Sequence, residues 1–216
     1  MSTAVMSIHV QRIHKPSEKE LANCVVVLDA AFHHKLYLSA VGGDQSLIAP
    51  LVRAHVNAAV VGGELWAATL PEAGIVGVAL WFGPGSTFLG TAEQRQMGWD
   101  DIMARIPAEN IQWWDTYFAT LDEISGRVLG AGIKRDAYQL YVLGTHPEYQ
   151  RKGVATALQK EVEAITRERG IALVVETTGA QNVSVYERLG YRTMGSGKYV
   201  RANGQPGELF VFLKNP

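Results

Sequence analysis

Apolar positions along the chain follow two periods. Val154, Leu158, Val162 and Ile165 recur at spacings of four, four and three, with Gln159, Lys160, Glu163 and Arg167 on the other face. That pattern predicts an amphipathic helix over 153–169 packed on a sheet. Arg167 and Arg169 suit its negative end, and Gly170 can supply a left-handed cap. Short apolar or alternating runs at 8–12, 64–69, 75–82, 137–145, 171–177, 191–194 and 208–213 predict strands, the second and third forming a hairpin around LPEAG. Further helices are expected over 16–32, 45–60 and 182–189. Residues 84–136 read as a polar and aromatic segment with helical patches, broken at Pro107. A mixed α/β domain follows.

Composition narrows the class. A chain of 216 residues, 47% hydrophobic and 19% charged, is sized for one domain over residues 1–216. Twenty basic and 21 acidic residues leave a net charge of −1, so nothing predicts a nucleic-acid or membrane partner. The lone cysteine, Cys24, excludes an intramolecular disulfide and any CxxC motif; with Leu21, Val25 and Leu28 at helical spacing it reads as buried packing. No stretch approaches the ~18 apolar residues of a membrane span, and the N-terminus lacks a signal-peptide core. A soluble, cytoplasmic protein is expected. His33 and His34 have no ligand partners at a recognisable spacing, so no metal is predicted.

One local rule fails. In HPEYQRKGVATALQ, residues 146–159, Arg151 and Lys152 stand at the start of the long helix, where the partial positive charge of the helix end disfavours cations. A bound anion would reverse that penalty. Gly153 and Ala155 leave the first-turn N–H groups open to close approach, and the two cations add charge-assisted donors, a combination suited to a diphosphate. Neither GxxxxGK[ST] nor GxGxxG occurs, which disfavours nucleotide hydrolases and dinucleotide dehydrogenases.

Gln150, Arg151, Lys152, Gly153, Val154 and Ala155 match the Q/R-x-x-G-x-G/A signature of the GNAT superfamily of N-acetyltransferases, between a strand and a helix. The downstream run NVSVYERLGY, residues 182–191, resembles the N-x-x-x-Y-E-x-L-G-F/Y segment of the same family. The phrasing is most similar to the fungal and puromycin N-acetyltransferase-like branch. The resemblance implies a GNAT fold: a mixed central sheet with two splayed parallel strands, here 137–145 and 171–177, flanking helices, and residues 84–136 as a helical insertion. It implies acetyl-CoA in the cleft, its pantetheine arm on backbone near Leu143 and Thr145. Its pyrophosphate would lie on Gln150, Arg151, Lys152, Gly153, Val154, Ala155 and Thr156. Asn182 is read as facing the pantetheine and capping the short helix.

Acetyl transfer to an amine requires a neutral nucleophile, a stabilised oxyanion and a proton for the departing thiolate. An amine of pKa ~10.4 is neutral at pH 7 in a fraction of about 10^−3.4, equivalent to roughly 4.6 kcal/mol, which burial or a base must recover in part. Oxyanion donors are expected near Leu143, where the family has a strand bulge. Many members carry a glutamate early in the first splayed strand; Gln139 stands there instead, so Glu176 on the other strand becomes the candidate base. Tyr141 shares a face with Gln139 and Leu143 and is a candidate for lining the acceptor site. Tyr186 is the candidate general acid. Residues 84–136, with Trp99, Trp113, Trp114, eight acidic and five basic residues, read as a mildly negative cover that would welcome a cationic amine. The expected acceptor is a primary amine of a small molecule. A protein or peptide amine, or a non-catalytic acyl-CoA-binding module, are the alternatives.

Overall fold

The computed structural model describes residues 7–32 and 35–216; His33, His34 and the first six residues lie outside that range. In chain order the elements are β1 (His9–Arg12), α1 (Glu18–Phe32), α2 (Lys35–Leu38), α3 (Ile48–Gly62), β2 (Glu64–Leu70), β3 (Gly74–Phe82), α4 (Ala92–Gln96), α5 (Trp99–Met103), α6 (Ala108–Leu129), α7 (Ile133–Asp136), β4 (Tyr138–Thr145), α8 (Val154–Arg169), β5 (Leu173–Thr177), α9 (Val183–Arg188), β6 (Arg192–Val200) and β7 (Pro206–Lys214). The seven strands form one mixed sheet in the order β1-β2-β3-β4-β5-β7-β6. Among the described residues only β4 and β5 pair in parallel.

Both faces of the sheet are covered, which is why β2 and β3 read as nearly unbroken apolar runs. On one face Leu28, Leu51 and Val56 pack with Val78, Leu80 and Phe82; on the other Val154, Leu158 and Val162 of α8 pack with Ala68, Trp81 and Leu140. Helix α1 starts on a reciprocal cap: the Ser17 N–H donates to Glu20 Oε2 at 2.8 Å and the Glu20 N–H to Ser17 Oγ at 3.3 Å. Cys24 is buried on that helix, and burial first, then Glu20, push its thiol up to about 12, leaving no reactive thiolate near neutral pH. Helix α8 ends as expected, on Gly170 at φ 65°.

Three expectations are corrected. Gln159 is not on a solvent face: it is buried, and its Oε1 accepts the Tyr191 hydroxyl at 3.1 Å, because Tyr191 closes over that side of α8. Strand β6 does not span 191–194 but runs from Arg192 to Val200 and pairs along β7 to Pro206. Residues 84–136 hold four helices, and their eight acidic side chains all face outward. That segment is no negative lining. Its longest helix, α6, buries Leu121 and Ile124 against Leu209 and Val211 of β7, and turns Trp113, Trp114 and Tyr117 inward. Among the described residues no helix is long and apolar enough to cross a membrane, and no group of three or more His, Cys, Asp or Glu side chains is gathered as for a metal ion.

Candidate active site

The parallel strands part. Tyr138, Gln139 and Leu140 pair with Leu173, Val174 and Val175, and beyond Leu140 strand β4 continues to Thr145 with its β5-side edge unpartnered. Its other edge stays paired with β3, so the strand is held while one row of backbone groups is left open. The bulge lies earlier than expected. Leu80 pairs with Val142 and Trp81 with Leu140, so Tyr141 is the extra residue, two positions before Leu143. The inserted residue puts Tyr141 and Val142 on the same core-facing side of the sheet.

At the mouth of this wedge the chain enters α8 through two left-handed residues, Arg151 at φ 59° and Gly153 at φ 86°. For arginine that conformation costs roughly 1–2 kcal/mol, a strain typical of backbone that must present its N–H groups inward. The first N–H to find a helical carbonyl is that of Ala157, on Gly153. Those before it, on Val154, Ala155 and Thr156, remain as donors. Gln150 Nε2 donates to the Thr145 carbonyl at 3.2 Å and ties this turn to the end of β4. The Lys152 ammonium sits 5.3 Å from the Tyr149 ring centroid.

A cavity of about 1720 Å³ runs from this turn through the wedge to the far side of the sheet. Leu143, Thr145, Gln150, Arg151, Gly153, Val154, Ala155, Thr156, Glu176, Asn182 and Tyr186 all line it; Lys152 does not. Asn182 does not cap α9 with its side chain: Nδ2 donates instead to Thr177 Oγ1 at 2.9 Å, because the end of β5 lies within reach. The Tyr186 ring packs on Phe212 and edge-on to Tyr191. Its hydroxyl has no hydrogen-bond partner among the described residues, and burial pushes it up to about 12.

Glu176 is held more firmly than sequence suggested. Its Oε1 accepts the Ser125 hydroxyl of α6 and pairs with Lys134 Nζ of α7 at 2.8 Å. Lys134 also pairs with exposed Asp122 at 2.8 Å. Burial pulls the Lys134 ammonium down, but Glu176 and Asp122 outweigh it and leave the group above its ordinary value. Gln139 is tied elsewhere, donating to the Lys134 carbonyl at 3.1 Å and the Ser86 carbonyl at 3.4 Å. It cannot replace the missing glutamate.

Beyond Glu176 the cavity wall is aromatic: Tyr37, Trp113, Trp114, Tyr117 and Tyr141, with His55 among them. Burial is the main cause raising the Tyr141 and Tyr117 hydroxyls well above the usual tyrosine range, and each also senses Glu176 and Tyr37. Trp114 donates from Nε1 to the Ala40 carbonyl at 3.1 Å, Trp113 to the Val200 carbonyl at 2.8 Å, and Tyr117 meets Tyr199 edge-on. The first ties α6 to the turn after α2, and the other two bind it to β6 and wall the cavity on that side. Sequence reading passed over Tyr37, His55, Ser125 and Lys134. A signal existed for one of them: His55 interrupts the apolar face formed by Ile48, Leu51, Val52, Val56 and Ala59.

Residues 92–204, more than half of the chain, match the family model described as Acetyltransferase (GNAT) domain. Solved structures agree in fold. Arylalkylamine N-acetyltransferase 2 from Aedes aegypti is 20% identical, with a TM-score of 0.62, covering 96% of this chain and 98% of its own. A polyamine N-acetyltransferase from Drosophila melanogaster is 16% identical, with a TM-score of 0.60, covering 97% and 100%. A protein described as histone acetyltransferase HPA2 and related acetyltransferase, from Corynebacterium glutamicum, is 21% identical, with a TM-score of 0.60, covering 95% and 96%.

Proposed function

The chain belongs to the GNAT family of acetyltransferases, and from that premise we propose that it transfers the acetyl group of acetyl-CoA to a primary amine of a small molecule, by direct attack on the thioester. The whole chain, 1–216, acts as one acetyltransferase domain in this reading. The observation that carries it is the wedge: an open β4 edge, a strained cationic turn at one end, and an aromatic chamber at the other, in one continuous cavity. Names of structural neighbours that act on arylalkylamines and polyamines add support for a small amine. So do the contacts of α6 with β6, which cover the cavity on that side. The phrasing LYVLGTHPEYQRKG supports placement in the fungal and puromycin N-acetyltransferase-like branch, and the unpaired buried thiol of Cys24 a cytoplasmic location.

The residues present fit acetyl-CoA. Arg151, Gly153, Val154, Ala155 and Thr156 would take the diphosphate on backbone N–H groups, with the Arg151 and Lys152 charges adding to the field; Gln150 braces the turn. Backbone of Leu143 and Thr145 would pair with the pantetheine amides, Asn182 completing that wall. When bound, acetyl-CoA supplies an acetyl group activated as a thioester. Backbone N–H groups at the Tyr141–Val142 bulge are the oxyanion donors in this reading, displaced from the expected Leu143. Glu176, with Oε1 fixed by Ser125 and Lys134, presents its remaining lone pairs to the chamber as the proton acceptor for the amine. Tyr186 holds the proton for the departing sulfur. Its raised value keeps the hydroxyl protonated at neutral pH.

The test is turnover of acetyl-CoA against a diverse panel of small amines and lysine peptides, read by thiol release, with Tyr186→Phe beside the wild type. Acetylation of small amines, with kcat of the variant down ~10²–10⁴-fold at little-changed cofactor affinity, is expected. Turnover of peptides alone would reassign the acceptor. Cofactor binding without turnover of any amine would make the chain a binding module.

A further inference from the structure

His55 has no part in the chemistry above, yet it lies on the cavity wall. It is 3% exposed and set among five aromatic rings, with centroids at 4.8 Å for Phe88, 5.8 Å for Tyr37 and Tyr141, 5.9 Å for Trp99 and 6.5 Å for Trp114. Nδ1 lies 2.7 Å from the Leu51 carbonyl. A carbonyl oxygen only accepts, so Nδ1 carries the proton and Nε2 keeps a free lone pair. Among the described residues Nε2 has no hydrogen-bond partner, and the hydroxyls of Tyr37 and Tyr141, whose rings pack on the imidazole, have none either.

The chamber's charges limit what enters. The charged side chains lining the cavity are Arg151, Arg188, Lys198 and Arg201 against Glu176 and Glu208. Glu176 is already paired with Lys134, and Glu208 accepts the Ser196 hydroxyl at 2.7 Å. With four cations against two carboxylates, both carboxylates already bonded, the lining favours an acceptor with one cationic head over one with several. What the remainder of the chamber offers is ring faces and an uncharged acceptor.

We propose that the acceptor is a monoamine bearing an aromatic ring, and that His55 selects rings carrying a hydrogen-bond donor, a phenol or a ring N–H, by accepting that donor at Nε2. Stacking on Tyr37, Tyr141 and Trp114 orients the ring. A ring donor takes the Nε2 lone pair that faces the cavity, and a ring without one displaces water from it and leaves it unpaired, which is the source of discrimination. Burial keeps His55 uncharged, pulling it down to about 4 against the opposing pull of the Leu51 carbonyl, so it offers a lone pair and not a repelling cation. This inference rests on the small-amine reading and narrows it.

Three amines of one skeleton provide the test: tyramine, phenethylamine, and O-methyltyramine, which keeps the oxygen and loses its donor. On the wild-type protein kcat/KM is expected to favour tyramine over both others by at least ~10-fold, and over spermidine. His55→Phe, which keeps an aromatic ring and removes the acceptor, is expected to bring the tyramine-to-phenethylamine ratio to within ~3-fold of one. His55→Gln, which retains an acceptor, should recover part of it. Equal wild-type turnover of tyramine and phenethylamine, a preference unchanged in His55→Phe, or preference for spermidine would overturn the proposal. Calorimetric binding of the same amines to the protein with CoA separates the two readings: selective tyramine binding without any turnover leaves the His55 assignment standing and removes the enzymatic one. Absence of both removes both.

Discussion

Acidification isolates His55. In the native chain its imidazole is pulled down to about 4, mainly by burial; in the unfolded chain it takes the ordinary value of ~6.5. As pH falls below 6.5 the unfolded state binds a proton that the native state refuses, so stability present above 6.5 is lost progressively towards 4. A difference of about 2.5 units corresponds to roughly 3 kcal/mol in full, and roughly 2.5 kcal/mol of it is already lost by pH 4.5. The titratable groups packed on the ring are Tyr37 and Tyr141, both pushed upward and uncharged throughout this window. Carboxyls also titrate: Glu20, held low by Ser17, Asp44 by Ser46, and Asp136 by Arg135. Their contribution is lost at lower pH and is shared by wild type and variant. Urea midpoints at pH 7.0, 5.5 and 4.5 for wild type and His55→Phe therefore give the His55 contribution as a double difference. The variant should lose roughly 2.5 kcal/mol less than wild type between pH 7.0 and 4.5. Parallel losses would show that native His55 takes up its proton as readily as the unfolded chain, and that the aromatic box does not exclude charge.

Gly153→Glu, which places a negative side chain on a φ of 86° within the cationic turn, should weaken acetyl-CoA binding at least tenfold, about 1.4 kcal/mol, by calorimetry on the folded variant; unchanged affinity would put the anion site elsewhere. Glu176→Gln keeps an acceptor for Ser125 but cannot take a proton, so kcat/KM at pH 7 should fall ~10²–10⁴-fold, and near-normal turnover would return Glu176 to a structural role beside Lys134. Trp114→Ala, at a buried core position, should cost about 3–5 kcal/mol in urea denaturation, whereas Trp113→Phe, which keeps one ring but loses the bond to Val200 and part of the stacking on Tyr117, should alter the kcat/KM ratio between large and small amines; equal loss for all amines in Trp113→Phe would make that residue packing alone.

What could be read in advance was local. The diphosphate turn is a run of consecutive residues, and cations at the wrong end of an otherwise regular helix marked it before any strand was paired. Strand β6 was cut short because Gly195, Ser196, Gly197 and Lys198 look like a loop. The glycines answer to α6 instead: a Cβ on Gly197 would lie 2.6 Å from Ile124 Cγ1, and one on Gly195 3.2 Å from Val128. Glycine in a strand can mark the close approach of another element, a distinction invisible without the partner.

The acceptor side is non-local throughout. Ser125 reaches Glu176 from 51 residues away, and Asn110 and Trp114 reach the carbonyls of Ser39 and Ala40 from 71 and 74. No window of sequence holds two of these partners. Charge counting over residues 84–136 therefore misled: the segment's composition is acidic, but the helical period sends its carboxylates outward and its aromatic rings inward. The chamber takes its polarity from elements outside that segment, Glu176 on β5 and His55 on α3. Both are polar groups placed among apolar neighbours, where burial without a partner costs stability. Ser125 and Lys134 meet that cost for Glu176 within the fold. His55 has only the Leu51 carbonyl, at Nδ1, and Nε2 is left for a ligand to satisfy.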